Sequence, residues 1–295
     1  MTARPAADVV IPFAGRALGP VLARAAALER REGDTVTVVD NRARPEDAGV
    51  ESGGGGGAAA AMVPVGVRLV AAPRVPTSYF ARNAGARGGG APWIVFLDSD
   101  VLAAADLLDR LLDPPPSEGV AVLGAEVEDE PPRPGDPPAV RYARLTGAMG
   151  QAGNLRLGFV ATACCAVRRE AFEAAGGFRE DVRSGGDADL CFRLRAAGWE
   201  IALRDDVVVR HRSRRALVRM LAQRARHGSG AAWIAAEHPG SFPPRPLGGA
   251  AWWGARRAAA GIAAWRRGDR DAALAGLLDG PALLAFELGR RVLPN

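Results

Sequence analysis

Trp93-Ile94-Val95-Phe96-Leu97-Asp98-Ser99-Asp100 is the stretch on which the fold turns. Five apolar residues in succession read as a strand buried on both faces, and two carboxylates stand where that strand should end. Side chains at i and i+2 of a strand share a face, so Asp98 and Asp100 are placed to converge on one point. Two neighbouring carboxylates repel each other, and a divalent cation that prefers oxygen ligands relieves the repulsion. A solvated loop, with Asp100 capping the helix that follows, accounts for the same eight residues equally well. The rest of the chain has to decide.

Outward from this stretch, strands and helices alternate. Upstream, Asp8–Ile11 is a strand, Leu18–Arg31 an alanine-rich helix, and Thr35–Val39 a strand followed by Asp40-Asn41. Val67–Val70 is a third strand, and Ser78–Arg87 is a helix leading into Trp93. Between them Glu46–Ala61 is of low complexity, with five consecutive glycines. It reads as a loop, because it lacks the strand-to-helix setting and the lysine of a phosphate-binding loop. Downstream, Ala103–Leu112 is a helix stopped by three prolines, Val120–Val127 a strand, and Asp129–Pro138 a surface loop or lid. Phe159–Val167 is a strand, while Arg169–Ala175 and Ala188–Ala197 are helices closed by glycines. Ile201–Leu203 and Val207–Val209 are short strands with a turn at Asp205-Asp206, and Arg214–His227 is a basic helix. Such βαβα order predicts an α/β fold with a mostly parallel sheet flanked by helices.

The 295 residues, 48% of them hydrophobic, suffice for a sizeable core. The formal charge of +5 comes entirely from arginine, because the chain has no lysine. Such a surface suits phosphates or an anionic membrane. The absence of long like-charge blocks and nucleic-acid motifs excludes nucleic acid as a partner. Cys164, Cys165 and Cys191 have no zinc-type spacing and read as small buried hydrophobes in a reducing compartment. Arg4-Pro5 runs straight into the first strand with no signal peptide, and no uninterrupted apolar run is as long as a membrane span. A cytoplasmic protein is expected. From Leu247 onward alanine, arginine and tryptophan predominate, predicting helices at Ala250–Arg266 and Arg270–Val292. Arginines beside Trp252, Trp253 and Trp265 allow these helices a peripheral membrane contact.

Ligands of open parallel sheets bind beyond the carboxyl ends of the strands, which predicts one cleft for Asp40-Asn41, Asp98 and Asp100, Asp187 and Asp189, and His211. With these residues in order, the chain resembles a family 2 glycosyltransferase of GT-A fold. The resemblance is carried by Val10-Ile11-Pro12, Val38-Val39-Asp40-Asn41, Ala81-Arg82-Asn83-Ala84-Gly85, Phe96-Leu97-Asp98-Ser99-Asp100, Gly176-Gly177-Phe178, Gly186-Asp187-Ala188-Asp189-Leu190 and Val209-Arg210-His211. It covers about residues 7 to 230. It implies an inverting transfer from a UDP- or GDP-linked sugar to an acceptor hydroxyl, with Mg²⁺ or Mn²⁺ on the diphosphate. On this resemblance Pro12, Asp40, Arg82, Asn83 and Asp98 contact the nucleotide, Asp100 and His211 the metal or phosphate, and Asp187 is the general base. It also implies a glycosyltransferase domain over 1–242, with a nucleotide-sugar half (1–102) and an acceptor half (103–242); the tail (243–295) lies outside the resemblance and reads from its composition as a helical appendage.

One residue departs from the family pattern: Gly186 stands where a glutamate is usual. Asp187 then acts alone, since Asp189 lies about 200° away on a helix and reads as an early-turn structural acid. A relative that binds nucleotide sugar or glycan without turnover is the alternative reading, and a nucleotidyltransferase is a more distant one. The resemblance leaves a glycan, a lipid-linked saccharide and a small molecule as acceptor classes. Among the remaining residues, Trp93, Trp199, Tyr79 and Phe80 are expected in the core, and His238 in a loop.

Overall fold

The computed structural model describes residues 4–42 and 62–295. The glycine-rich loop expected over 46–61 lies outside the described residues. Three parallel pairings build the first half of the sheet. Strand β1 (Ala7–Phe13) pairs with β2 (Thr35–Asp40) on one side and with β4 (Trp93–Leu97) on the other, and β3 (Arg68–Ala71) continues beyond β2. Every residue of β1 and β4 is buried, as their continuous apolar runs require. The one charge inside β1, Asp8, is satisfied there: it accepts from the Ala91 amide at 2.8 Å, the Thr35 hydroxyl at 2.5 Å and the Arg169 guanidinium at 2.6 Å.

The remaining strands are β5 (Val101–Leu102), β6 (Val120–Asp129), β7 (Cys164–Arg168) and β8 (Glu200–His211), and the sheet order is β3-β2-β1-β4-β7-β6-β8-β5. Strand β7 runs antiparallel to both β4 and β6, so the parallel character belongs to the half containing Asp40 and Asp98. The three cysteines are free and buried, as expected of small hydrophobes.

Helices α1 (Gly19–Ala26), α2 (Ser78–Ala86), α3 (Leu107–Leu112), α5 (Gln151–Arg156) and α6 (Arg169–Ala174) accompany these strands. Helix α2 lies close on the sheet because Gly85 leaves room: a Cβ there would collide with Val10 and come within 2.9 Å of Val39 Cγ2. Its start is capped by Thr77, whose hydroxyl accepts the Phe80 amide at 3.1 Å.

Several predicted elements change their limits. The strand expected over Phe159–Val167 begins only at Cys164. The Ala161 peptide instead spends both its groups on the fully buried Gln151 side chain, at 2.9 and 2.8 Å. The two short strands around Asp205-Asp206 form one twelve-residue strand, β8, on which both aspartates are solvent-exposed. Helices α1 and α3 are shorter than the apolar patterns suggested.

The described chain divides into two compact units. The first comprises residues up to Glu126, Gln151–Asp181 and Leu190–Val209; the second comprises Val127–Gly150, Val182–Asp189 and Arg210–Asn295. Helix α7 (Gly186–Ala196) begins in the second and ends in the first. The second unit is built on α4 (Pro138–Thr146), α8 (Leu217–Glu237), α9 (Leu247–Arg266) and α10 (Arg270–Val292). Its core gathers Ala139, Tyr142, Met220 and Ala282, with Leu221, Leu274 and Leu278 against them. Helices α8 and α10 meet backbone to backbone, because Cβ atoms on Gly228 and Gly289 would strike the Phe286 and Ala225 carbonyls respectively. Helix α10 is 23 residues long with a window of mean hydropathy 1.4, long and apolar enough to cross a membrane by those two measures. Its apolar run is interrupted by Asp279 and Glu287.

Candidate functional site

Adjacent strand ends carry the nucleotide residues expected in the first unit. Phe13 is in register with Asp40, and the β1–β4 pairing runs to Val10 opposite Phe96, two residues before Pro12 and Asp98. Pro12, Asp40 and Asp98 therefore line the same edge of the parallel sheet, with strands spaced about 4.8 Å apart. Asp98 closes the β4 end by donating its amide to the Ala163 carbonyl at 2.9 Å, while its own carbonyl accepts from the Val101 amide at 3.0 Å. Residues 98–101 thus form a tight turn rather than a helix start, and Asp100 is exposed on it.

Asp98 has a counter-charge inside the protein. Arg82, buried on α2, places a guanidinium nitrogen 2.5 Å from Asp98 Oδ1 while stacking over the Tyr79 ring at 5.4 Å. Arg24 adds a second cation at the turn, donating to the Ser99 carbonyl at 2.6 Å. Asp40 is also paired: Arg42 grips both its oxygens, at 2.8 and 2.6 Å, and lies over the Phe13 ring at 5.2 Å.

Asn83 has a different setting from its neighbour Arg82. Its amide donates to the Phe178 carbonyl at 2.9 Å and to Glu180 Oε1 at 3.0 Å, and its oxygen accepts the Phe178 amide at 3.0 Å. The bend that makes this possible uses Gly176 and Gly177, at φ +74° and +71°, where a side chain would be strained. Phe178 then packs on Phe96, Phe172 and Tyr79. The Ala-Arg-Asn-Ala-Gly and Gly-Gly-Phe motifs are two halves of one clamp.

The second unit holds His211 and Asp187. His211, at the end of β8, is buried with Nδ1 3.5 Å from Asp129 Oδ1, and the Ser213 hydroxyl donates to that same oxygen. Burial pushes the Asp129 carboxyl up, but the hydrogen bonds from His211 and Ser213 and the charges of His211 and Arg144 outweigh it, leaving it below the usual carboxylate range. A carboxylate on Nδ1 orients the ring and directs Nε2 elsewhere.

Asp187 is half-buried in the first turn of α7, and Asp189, two residues on, is almost fully buried. Asp189 accepts a contact from His238 Nε2 at 2.9 Å. His238, the loop residue just past α8, is its C-cap and ties that helix to the turn bearing Asp187. The loop entering α7 is fitted to α8 as well. Gly185 sits at φ +90°, and a Cβ there would come within 2.9 Å of Ile234 Cγ1. Asp129, Ser213, His238 and Arg42 were all missed from sequence; apart from Arg42, each depends on a partner that spacing along the chain does not disclose.

Among the described residues, no group of three or more His, Cys, Asp or Glu side chains gathers as a metal cage. The donor chemistry nevertheless fits Mg²⁺ or Mn²⁺. Such ions are commonly held by one or two protein carboxylates, with substrate phosphates and water completing the shell. The exposed Asp100 supplies a carboxylate of that kind, and an imidazole such as His211 is a ligand that Mn²⁺ accepts.

A parallel sheet with acidic strand ends, joined to an antiparallel half and flanked by helices, is a fold of the GT-A type. Residues 5–230 match the family described as "Glycosyltransferase like family 2", and the chain belongs to it. The chain is similar to the pre-mycofactocin glycosyltransferase of Mycobacterium tuberculosis, at 31% identity over 178 residues, 58% of this chain and 37% of the relative. It is also similar to glycosyltransferase AglE of Haloferax volcanii, at 29% identity over 137 residues, 46% of this chain and 45% of the relative. These matches span less than half of each curated relative. Among solved structures, mannosyltransferase PcManGT from Pyrobaculum calidifontis, in complex with GDP-Man and Mn²⁺, shares the fold. It has a TM-score of 0.62 and 18% identity, with 98% of this chain and 88% of that one covered.

Proposed function

We propose that this glycosyltransferase moves a sugar from a UDP- or GDP-linked donor to an acceptor hydroxyl, with inversion at the anomeric carbon and dependence on Mg²⁺ or Mn²⁺. The observation that carries the reading is the alignment of Pro12, Asp40 and Asp98 on adjacent strand ends, with Asp100 exposed on the next turn. PcManGT, which shares this fold, was crystallised with GDP-Man and Mn²⁺, and GalNAc-T7, at 13% identity and a TM-score of 0.50, with UDP, GalNAc and Mn²⁺.

In this reading Asp40 receives the nucleobase, exchanging Arg42 for a base donor. Asp98, held by Arg82, faces the ribose. Asp100 and His211 hold the cation, which when bound stabilises negative charge on the departing diphosphate. Asp187 accepts the acceptor's proton as its oxygen attacks the face of the sugar opposite the diphosphate. Asn83 keeps the clamp closed beneath the nucleotide rather than touching it.

Calorimetric titration of UDP-, GDP- and dTDP-sugars, with Mn²⁺, Mg²⁺ or chelator present, tests the donor and the metal. Product anomers read by NMR test the stereochemistry. Asp100→Ala is expected to abolish the metal dependence of donor binding. Asp187→Asn is expected to keep donor affinity and lower transfer by roughly 10²-fold or more. Metal-independent binding, or full transfer by Asp187→Asn, would remove the corresponding assignment. Tight donor binding without transfer to any acceptor would favour a non-catalytic binding protein, consistent with Gly186 replacing a glutamate.

A further inference from the structure

In the second unit, α9 and α10 form an antiparallel pair whose seam is made of glycine. A Cβ on Gly254 would lie 2.9 Å from Gly280 Cα, and one on Gly261 would lie 3.0 Å from the Ala273 carbonyl. Arg257 and Asp279 bridge the same seam at 2.6 Å. The seam thus runs through 254, 257 and 261 on α9 and through 273, 276 and 280 on α10. Residues one step beyond the seam are rotated by about 100° from it. In an antiparallel pair those positions fall on the same side of both helices.

That side is free of charge. On α9 it reads Ala251, Ala255, Ala258, Ile262 and Trp265; on α10 Leu274 packs against the core, and beyond it the side reads Leu277, Pro281, Leu284 and Leu288, continued by Val292. Ile262 is 45% exposed, Trp265 57%, Leu277 45%, Leu288 47% and Val292 70%. Only 33% of the most apolar window of α10 is covered within the protein. At the α9–α10 turn stand exposed Arg266, Arg267 and Arg270, the last lying 5.5 Å over the Trp265 ring. Of the two acids nearby, Asp269 is engaged as the N-cap of α10 and Asp271 is paired with Arg141 at 2.5 Å.

We propose that this face binds an anionic lipid bilayer, with the apolar strip laid among the acyl chains near the headgroups and the arginines reaching the lipid phosphates. An apolar strip beside exposed arginine and tryptophan is the composition of a helix lying in the membrane interface. Residues 243–295 contain eight arginines against four acids, which complements a negative leaflet. The strip has no acidic side chain with which to receive the arginines of a second copy. Helix α10 lies on the membrane instead of crossing it. Asp279 bonds Tyr142 at 2.9 Å as well as Arg257, and the buried Glu287 is held by Arg291 at 2.9 Å, so spanning would drag paired charges into hydrocarbon.

The inference does not depend on the donor or on the catalytic assignments. Its test is co-sedimentation of the full chain with vesicles of phosphatidylcholine alone, and with vesicles in which about one-third is phosphatidylglycerol. The parent protein is expected in the pellet with the anionic vesicles only, and less so as salt rises. Leu277→Asp/Leu288→Asp is expected to reduce partitioning about tenfold or more, with an unchanged circular dichroism spectrum. If that variant does not fold, Arg266→Glu/Arg267→Glu, at exposed sites, is expected to lower anionic-vesicle binding. Absence of the parent from the anionic pellet, or equal binding by the variants, would overturn the proposal. A concentration-dependent dimer that Leu277→Asp/Leu288→Asp dissolves, without vesicle binding, would replace it with a second copy of the chain.

Discussion

Arg82 changes the meaning of Asp98 and Asp100. From sequence the two carboxylates looked equivalent, and only spacing and resemblance separated them. The buried guanidinium 2.5 Å from Asp98 gives one of them an internal counter-charge and leaves the other on an exposed turn. Nothing in the local sequence reveals this, because the partner lies 16 residues upstream on another element. The same logic operates at the starts of β1 and β2. Asp34 is clasped there by Arg4 at 3.0 and 2.6 Å and by the Ala7 and Arg31 amides at 2.8 and 2.7 Å. Burial raises the Asp34 carboxyl, but Arg4 and the amides more than offset it, and the net position is below the usual range. Its contribution to stability is therefore complete above the unfolded carboxylate value of about 3.9, and drains away as pH falls through the lower folded value. Urea midpoints measured from pH 6 down to pH 2 should fall in the parent below about pH 4. In Asp34→Asn they should start lower and vary less over the same acid range; parallel curves would contradict this account.

At the scale of elements, long periodic patterns were legible and ends were not. Helices α9 and α10 matched closely, because unbroken alanine-rich and leucine-rich runs leave little else for the backbone to do. The apolar run from Phe159 exceeds strand β7 by five residues at its start, since such a run cannot announce that Gln151 will capture the Ala161 peptide. Strand β8 was split because paired aspartates resemble a turn, whereas exposed positions of a strand tolerate them. The clamp at Asn83 was invisible for the same reason as Arg82: its partners are 95 and 97 residues away. It has an energetic consequence. Asn83→Ala leaves the buried Phe178 amide and carbonyl without their partner, which should cost about 2–3 kcal/mol in urea denaturation. Donor affinity should fall only if the clamp supports the nucleotide edge. A loss of stability well under 1 kcal/mol would show that water replaces the side chain there.

For the whole molecule, the sequence made the α/β class and the parallel first half readable, because buried parallel strands and their crossover helices leave strong patterns. It did not disclose that the chain clusters into two units assembled from separated segments. In the second unit, Tyr142 and Met220 share their core with Ala282 of α10. Deleting residues 243–295 should therefore unfold α4 and α8, while β1, β2 and β4 of the first unit keep slow hydrogen exchange. Loss of protection throughout the sheet would show instead that the first unit requires the second to fold. The sheet order has a consequence for synthesis as well. Strand β4 is flanked by β1, made before it, and by β7, which begins 67 residues after Leu97. During translation at about 5–20 residues per second, that edge stays unpaired for roughly 3–13 seconds. A bare edge of five apolar residues is a template for foreign strands throughout that time. The same buried hydrophobicity that makes the carboxylate-bearing strand easy to recognise thus leaves the nascent chain with an open apolar edge until β7 is made.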